Sequence, residues 1–394
     1  MPGFEFIGDD ERQQVQDVLD SGVLMRYGFD AARNGHWKCL ELEQRLAAKF
    51  GVRHAHVCSS GTAALSAALA ACGVGAGDEV ILPPFTFVAD LETVLLAGAV
   101  PVFAEIDQTL CLDPQSVAKA ITPKTKAVLV VHMCGAMAQI DALQDLCRTH
   151  HLTLIEDAAQ AAGAAFRGRM LGTFGKVGCL SFDYVKTITC GEGGAIVTDD
   201  GDVYRMAQAF TDHGHDHLGV DRGADQHPHI GLNFRLSELH AAVGVAQLAR
   251  LDCILEIQRR HKAALKDGLA GLRCLEFRTV PDPAGDSATF LSFLLPTEDE
   301  ARHAARALAT AGVDGCFYWY DNNWHYHRKW DHIKTFASPG RLAIDRFGYG
   351  ADLTKVSLPQ SDAVMSRTVS MLIKLRWTQQ QVSDRLARMK SALA

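Results

Sequence analysis

The feature that most constrains the fold is a regular alternation of short apolar runs with helical patterns over the first 250 residues. Several of the runs are apolar throughout, which is typical of strands buried on both faces of a sheet. Strands that alternate with helices favour a mostly parallel sheet covered by helices. The predicted strands are residues 54–58, 79–82, 100–105, 127–132, 153–156, 177–182 and 195–198. The helical patterns between them include residues 62–71, 90–97 and 141–150.

The pattern changes after a long helix predicted over residues 237–269, with Ser237 as its N-cap. The elements beyond it mix strands (residues 291–295 and 315–320) with helices (residues 299–311 and 379–394), as in an α+β domain. We therefore expect a large domain over residues 1–250 and a smaller α+β C-terminal domain over residues 251–394.

The composition argues against several functional classes. The formal net charge is −7 and the pI about 6.2, without the basic stripe of a nucleic-acid-binding protein. Asp9, Asp10 and Glu11 stand where a secretory signal would be basic, and no run approaches the roughly 18 uncharged apolar residues of a spanning helix. The 11 cysteines are scattered and form no CxxC pair, which favours free thiols in a reducing cytosol. We expect a cytoplasmic protein that binds neither nucleic acid nor membrane.

The first segment that carries chemistry is Ser59-Ser60-Gly61-Thr62, which follows a predicted strand and opens an Ala-rich helix. Unpaired amides at a helix start and the helix dipole favour an anion there, and a glycine lets the backbone approach it closely. Ser-Gly-Thr is also a common helix N-cap. The segment therefore predicts either a phosphate cradle or a cap alone.

Two acids, Glu156 and Asp157, lie at the carboxyl end of a predicted buried strand. This is the edge at which open α/β sheets bind ligands, so one of these carboxylates could hold a cationic ring nitrogen. The alternative is that Asp157 is the N-cap of a following helix.

Lys186 lies just past the predicted strand of residues 177–182, with Gly191-Glu192-Gly193-Gly194 after it. A lone lysine is normally a solvated surface charge. The neighbours of Lys186 are apolar or hydroxylated, so it is a candidate for a desolvated amine, whose lowered pKa makes it nucleophilic. Together the three segments supply an anion cradle, an acid for a ring nitrogen and an amine for a Schiff base. A pyridoxal phosphate site needs this set of groups.

The order of these segments resembles that of the DegT/DnrJ/StrS class of sugar aminotransferases, over nearly the whole chain. The matching stretches are residues 60–65, 84–87, 156–160, 181–186, 191–194, 231–235 and 237–239. The resemblance implies an α/β fold of the aspartate-aminotransferase type, which is fold type I of the pyridoxal-phosphate-dependent transferases. One branch of this class has a histidine in place of the lysine and dehydrates its substrate, so Lys186 favours transamination.

The resemblance also implies roles for single residues. Lys186 would hold pyridoxal 5'-phosphate as a Schiff base, and Asp157 would keep the ring nitrogen protonated. Gln160 would lie near the phenolic oxygen of the ring, and Phe87 would stack on its face. The residues that would bind the phosphate are Gly61, Thr62 and Ser181 and, from the neighbouring subunit of a homodimer, Asn233.

Three stretches, residues 26–30, 183–190 and 318–325, depart from the common family pattern. They resemble the branch that makes 8-amino-3,8-dideoxy-manno-octulosonate, a sugar acid of lipopolysaccharide. The resemblance implies an oxidised octulosonate with an aldehyde at carbon 8 as amino acceptor, and glutamate, released as 2-oxoglutarate, as donor. A nucleotide-linked keto-sugar is the alternative acceptor. A catalytically silent regulatory or ligand-binding member is the alternative from another class.

Both substrates in this hypothesis carry carboxylates, which need polar partners. Five histidines between residues 213 and 229 suggest a metal, but a metal site needs a closed ligand set, so we expect a loop above the active site and no functional metal. Four aromatic residues between 318 and 324 are either a core cluster or a substrate wall. The candidate partners for the substrate carboxylates are Arg26, Arg222, His229, Tyr318 and Asn323.

Overall fold

A computed structural model of the chain describes residues 3–218, 223, 225–347 and 352–394. The elements of the first part are α1 (Asp9–Ser21), α2 (Lys38–Phe50), β1 (His54–Cys58), α3 (Gly61–Ala71), β2 (Glu79–Leu82), α4 (Ala89–Leu96), β3 (Val100–Phe103), α5 (Pro114–Ala120), β4 (Thr125–Val131), α6 (Ile140–Thr149), β5 (Thr153–Asp157), β6 (Ala165–Phe166), β7 (Arg169–Met170), β8 (Val177–Ser181), β9 (Gly194–Thr198) and α7 (Gly201–Thr211). Those of the second part are α8 (Glu238–Ala249), α9 (Leu251–Leu269), β10 (Glu276–Phe277), β11 (Phe290–Leu294), α10 (Glu298–Thr310), β12 (Cys316–Tyr318), α11 (Asp331–Lys334), α12 (Ala343–Phe347), α13 (Pro359–Met365), β13 (Thr368–Leu372) and α14 (Gln379–Leu393).

A seven-stranded sheet forms the centre of the first part. Its order is β1-β9-β8-β5-β4-β2-β3, and all neighbouring strands are parallel except β9, which is antiparallel to both β1 and β8. The glycine-rich residues 191–194 turn the chain back, so that Gly194 of β9 pairs with Ser181 of β8. Strands β8 and β9 are buried at every position, which explains their apolar sequences. The predicted mostly parallel sheet is confirmed.

The single helix predicted over residues 237–269 is wrong, because the chain forms two helices, α8 and α9, that meet at Arg250. The backbone of Arg250 lies at φ −95° and ψ −1°, and its amide donates to the carbonyl of Gln247 at 3.1 Å. The guanidinium of Arg250 binds Glu11 of α1 at 3.0 Å. The break contains no glycine or proline. It coincides instead with the tertiary contacts of the Arg250 side chain.

A second sheet, which is antiparallel, forms the core of the C-terminal part. Its order is β10-β11-β13-β12, and α9, α10 and α14 share its apolar cluster. Strand β12 ends earlier than the predicted residue 320, because a 3-10 turn begins at Trp319. The side chains of Trp330, Ile333 and Ile344 instead belong to the apolar cluster that contains α3 and α4. The division into domains after residue 250 stays a prediction.

The eleven cysteines are free in the structure, as predicted, and eight of them are buried. Burial raises the pKa of the Cys58 thiol to about 12, so this side chain is an unreactive part of the core. Among the described residues, no helix combines the length and the apolar character needed to cross a membrane.

Parallel pairing places four strand ends at one edge of the first sheet. Strands β2, β4, β5 and β8 run in the same direction, so the loops that follow their carboxyl ends are neighbours. This is the edge at which ligands bind in open α/β sheets. The predicted residues Phe87 and Lys186 lie in these loops, and Asp157 ends β5.

Candidate active site

The start of α3 contains the residues of the predicted anion cradle. Ser60 is the N-cap, because its hydroxyl accepts a hydrogen bond from the amide of Ala63 at 3.0 Å. The first two amides of the helix, those of Gly61 and Thr62, are ones that a helix cannot pair internally. Gly61 also lies against Ser181, since a Cβ added to Gly61 would be 2.8 Å from the Cβ of Ser181. The cap is therefore compatible with a cradle, and the structure brings Gly61, Thr62 and Ser181 together.

Strand geometry separates the two acids at the end of β5. Consecutive residues of a strand point to opposite faces, so the side chains of Glu156 and Asp157 diverge. The buried carboxylate of Glu156 accepts hydrogen bonds from the amides of Gly172 at 2.8 Å and Gly175 at 2.6 Å. Asp157 instead lies close enough to Lys186 for their charges to interact. Glu156 is therefore structural, and Asp157 is the acid that could serve a ring nitrogen.

The alternative role of Asp157 as a helix N-cap is wrong. Its carboxylate does accept a hydrogen bond from the amide of Ala159 at 2.7 Å, as a cap would. However, residues 158–164 form turns and irregular chain and no helix. The hydrogen bond orients the carboxylate and leaves its remaining lone pairs for another partner.

Lys186 lies in a loop whose two ends are held together. The amide of Cys190 donates to the carbonyl of Phe182 at 2.8 Å, and the amide of Phe182 donates to the carbonyl of Gly193 at 2.8 Å. The glycines that follow the lysine thus bring the chain back beside the end of β8, as predicted. This closure presents Lys186 at the sheet edge on a fixed backbone.

The N-terminal segment holds the same loop from the other side. The amide of Gly3 donates to the carbonyl of Lys186 at 3.0 Å, and a side chain at Gly3 would collide with this backbone. Glu5, two residues later, accepts hydrogen bonds from the amides of Leu375 at 2.8 Å and Arg376 at 2.9 Å. Residues 3–5 therefore link the lysine loop to the C-terminal part of the chain.

Burial controls the charge states in the crevice. It lowers the pKa of the Lys186 ammonium, against the opposing effect of the carboxylates of Asp157, Asp183 and Asp90. Burial likewise raises the pKa of Asp157, against the opposing effects of the Ala159 amide and of Lys186. An amine with a lowered pKa is nucleophilic, and a buried acid is stabilised by a cationic partner. With the cradle at α3, this donor set fits pyridoxal phosphate.

An aromatic wall, formed by Phe87, Trp324 and His325, closes one side of the crevice. The ring of Phe87 stacks on Trp324, with centroids 5.7 Å apart and planes at 5°, and His325 packs against Phe87 at 5.5 Å. Burial lowers the pKa of His325 to about 4, so its imidazole is neutral at neutral pH. The predicted aromatic cluster therefore divides in two: Trp324 belongs to the wall, whereas Trp319 and Tyr320 are buried in the core.

Gln160 is buried beside the loop that follows β4. Its Oε1 accepts a hydrogen bond from the amide of Cys134 at 3.0 Å. This bond orients the side chain so that its amide nitrogen is the end that can donate to a ligand. The role of Gln160 at a phenolic ring oxygen stays a prediction.

Asp90 is a residue of this site that the sequence motifs did not indicate. It is fully buried, accepts a hydrogen bond from the hydroxyl of Thr86, and lies within hydrogen-bonding range of Asp157. The sequence feature that could have indicated a buried Asp90 is its spacing in the helix. Asp90 lies three and four residues before Thr93 and Val94, so it shares a face of α4 with these two buried residues.

Comparison with known proteins decides the family. A sequence profile of the DegT/DnrJ/EryC1/StrS aminotransferase family matches residues 5–340. The chain belongs to this family. This is a family of aminotransferases that depend on pyridoxal phosphate, so the predicted fold type, cofactor and class of reaction are confirmed. The roles of the individual site residues stay predictions.

Individual relatives agree with the family. An L-glutamine:2-deoxy-scyllo-inosose aminotransferase from Micromonospora echinospora is 37% identical over 374 residues, which are 91% of this chain and 86% of the relative. A GDP-perosamine synthase from Vibrio cholerae is 40% identical over 66% of this chain and 68% of its own length. The crystal structure of 3-amino-5-hydroxybenzoic acid synthase is similar at a TM-score of 0.81 and 30% identity, covering 98% of this chain and 97% of that chain.

Arg26 was predicted to bind a substrate carboxylate. It is instead buried and paired within the chain. Its guanidinium lies 2.6 Å from Glu43 and donates to the carbonyl of Val57 at 2.8 Å. Although burial alone would raise it, the pKa of Glu43 is lowered to about 2 by Arg26 and His56. Arg26 therefore has a structural role, and its expected contact with substrate is wrong.

The other predicted partners of the substrate carboxylates lie in different places. Tyr318 donates its hydroxyl to the carbonyl of Ser366 at 2.8 Å, which ties it to the C-terminal part. His229 and Asn323 are exposed and remain candidates. Arg222 lies outside the described residues.

The histidine-rich stretch brings possible metal ligands together without forming a convincing site. Ligand atoms of Asp212, His215 and His217 lie within 4.8 Å of one another. Nδ1 of His215 accepts the amide of His217 at 3.0 Å, so a neutral His215 carries its proton on Nε2, 3.0 Å from Asp225. A metal ion at this nitrogen would have to displace the proton, and Arg235 already pairs with Asp212 at 2.5 Å. These contacts favour ion pairs; the expectation of no metal stays a prediction.

Asn233 lies at the surface, on an extended stretch that pairs with Asp212. The neighbouring main chain of Phe234 accepts the amide of Ser59 at 2.8 Å, just before the start of α3. An exposed amide in this position is compatible with the family role in a neighbouring subunit, which stays a prediction.

The buried pair of Arg26 and Glu43 gives a test of structural against substrate-binding roles. Replacing Arg26→Met leaves a buried carboxylate without its cation, so we expect a loss of about 3–5 kcal/mol in the free energy of unfolding. The matched variant Arg26→Met with Glu43→Gln should recover most of this loss. Thermal and denaturant unfolding measure both. Unchanged unfolding with a raised KM for one substrate alone would contradict the structural role.

Proposed function

We propose that the chain transfers an amino group from glutamate to the aldehyde carbon of 8-oxo-3,8-dideoxy-manno-octulosonate, giving the 8-amino sugar acid of lipopolysaccharide. The observation that carries the proposal is the desolvated amine of Lys186 beside Asp157, at the sheet edge that the cradle of α3 borders. Overall, glutamate becomes 2-oxoglutarate and the carbonyl of the acceptor becomes an amine. A cytoplasmic location is part of the proposal, supported by the free thiols.

Each residue of the site has a task in this reaction. Pyridoxal phosphate, when bound, supplies an aldehyde and an electron-accepting ring. Nζ of Lys186 would hold the cofactor. Once freed by the donor amine, it would accept the proton from the α-carbon of glutamate and later donate it back. Its lowered pKa suits both transfers, because the amine is free to accept a proton near neutrality. Asp157 would keep the ring nitrogen protonated, and Phe87 would stack on the ring face.

The placement of the unusual sequence stretches supports the choice of acceptor. Of the three that depart from the common family pattern, residues 183–190 contain the lysine loop and residues 318–325 contain Trp324 and His325 of the aromatic wall. Both therefore border the crevice in which an acceptor must lie. A branch with its own sugar is expected to differ from the rest of the family at positions that border the acceptor.

A keto-sugar is the second candidate acceptor, and specific relatives favour it. The relative from Vibrio cholerae is named for a GDP-linked sugar, and the one from Micromonospora echinospora is named for a cyclic inosose with L-glutamine as donor. The second relative matches 91% of this chain. Both acceptors and both donors therefore belong in any test.

We further propose a homodimer in which Asn233 reaches the phosphate of the neighbouring site. Large apolar side chains next to it are exposed in the single chain: Ile230 is 95% exposed and Leu232 is 49% exposed. Phe29 and Leu218 are also mostly exposed. Such side chains are typical of an interface, and a second subunit would cover them.

Replacing Lys186→Ala tests the central assignment. We expect the transamination rate to fall by at least about a thousandfold, because the same amine holds the cofactor and moves the proton. Borohydride reduction of the loaded wild type should attach the cofactor to Lys186, as peptide mass spectrometry can show. Lys176→Ala is the control, since Lys176 precedes β8 and is about half exposed. A nearly active Lys186→Ala enzyme would refute the assignment and favour another lysine.

The acceptor is tested with enzyme that has first been converted to its amine form by glutamate or glutamine. We expect kcat/KM for the octulosonate aldehyde to exceed that for GDP-linked and dTDP-linked keto-sugars and for scyllo-inosose by about a hundredfold or more. Return of the cofactor absorbance measures each half-reaction. A nucleotide-linked sugar or inosose at the head of this series would replace the proposed acceptor.

Mixing two inactive variants tests the shared site. In a hybrid of Lys186→Ala and Asn233→Ala subunits, one of the two sites combines an intact lysine with an intact neighbouring asparagine. Random mixing should then restore about a quarter of wild-type activity, because half of the dimers are hybrids with one good site each. Activity no higher than the mean of the two separate variants would place Asn233 in its own subunit's site.

A further inference from the structure

Asp90 has no role in the proposed transamination as described above, although it lies in the same crevice. It is in the first turn of α4 and has no exposed surface. Its Oδ2 accepts the hydroxyl of Thr86, whereas its buried Oδ1 has no hydrogen-bond partner among the described residues. Acids are common in the first turn of a helix, but at the surface, where water also solvates them. A buried carboxylate oxygen without a donor is costly, so this group needs a proton or a further partner.

The neighbour of Asp90 is the carboxyl group of Asp157. The two groups lie within hydrogen-bonding range of each other. Burial, and then the charge of Asp157, raise the pKa of Asp90 well above its ordinary value. Two adjacent buried carboxyl groups cannot both be ionised at low cost, and they titrate as a pair.

Three other titratable groups face this pair. Lys186 is a cation that acts on both carboxyl groups, and His132 acts on Asp157. The thiol of Cys179 lies close to both acids and stays protonated, because burial raises its pKa well above the ordinary value. With pyridoxal phosphate bound to Lys186, a protonated ring nitrogen held by Asp157 would supply the positive charge. One carboxylate balances this charge, and a second would remain buried without compensation.

We propose that Asp90 and Asp157 hold a single proton between them, and that Asp90 is a positioning residue that donates its O–H to the carboxylate of Asp157. The hydrogen bond fixes the direction of the carboxylate, together with the bond from the Ala159 amide. Asp90 thereby acts on the ring nitrogen through Asp157. The shared proton is a property of the protein alone, whereas the positioning role rests on the proposed function.

The shared proton can be observed without the cofactor. Infrared spectra of the cofactor-free protein at neutral pH should contain the carbonyl band of a protonated carboxyl group, and labelling aspartate with ¹³C at the side-chain carboxyl should shift it. The band should disappear in Asp90→Asn and persist in Glu92→Gln, which removes an acid from the exposed face of the same helix. Absence of the band in wild type, or its persistence in Asp90→Asn, would overturn the proposal.

The positioning role is read from cofactor affinity and from the pH titration of the bound cofactor's absorbance. Asp90→Asn keeps a donor to Asp157, so its dissociation constant for pyridoxal phosphate should stay within about threefold of wild type. Asp90→Leu removes the donor and should raise this constant about tenfold or more and shift the titration. Glu92→Gln is again the control. Wild-type affinity and titration in Asp90→Leu would show that Asp90 does not act through Asp157.

These measurements separate the two proposals. A band that disappears in Asp90→Asn establishes the carboxyl pair even in a protein whose Lys186 fails to take the cofactor. Conversely, a protein that transaminates through Lys186 but has no protonated aspartate retains the proposed function and lacks the pair.

Discussion

The common direction of β2, β4, β5 and β8 is the constraint on which the rest of the site depends. Because these strands are parallel neighbours, the loops after them meet at one edge, although they come from distant parts of the sequence. The topology of the strands alone therefore brings together Asp157, the lysine loop and the aromatic wall. Helix α3 begins beside the same edge and adds its unpaired amides. The chemistry at this edge then depends on burial, because burial shifts the pKa values of Lys186 and Asp157.

Sequence patterns predicted the sheet well because its strands are buried on both faces, which makes them uniformly apolar and short. Every predicted strand of this sheet lies within two residues of the observed one at either end. The break between α8 and α9 could not be predicted, since the residue at the break is an ordinary helix former whose side chain binds another helix. The ends of β12 and the packing of residues 330–344 depend likewise on contacts between distant segments.

The same distinction between local patterns and distant contacts applies to the residues of the site. Lys186, Asp157 and the start of α3 could be named because a strand followed by a reactive residue is a local pattern. Arg26 was misjudged because its partner Glu43 lies 17 residues away, in helix α2, and a buried ion pair has no local signature. Asp90 was missed for a related reason: an acid in the first turn of a helix is ordinary until the fold places a second acid against it.

The attachment of residues 3–5 has a mechanical consequence. Gly3, at one end of this short segment, is hydrogen-bonded to the carbonyl of Lys186. Glu5, at the other end, is hydrogen-bonded to the amides of residues 375 and 376 beyond the second sheet. A displacement of residues 375 and 376 would therefore be transmitted through these hydrogen bonds to the backbone of Lys186. Three residues thus connect the main chain of the reactive lysine to the C-terminal part by hydrogen bonds of their own.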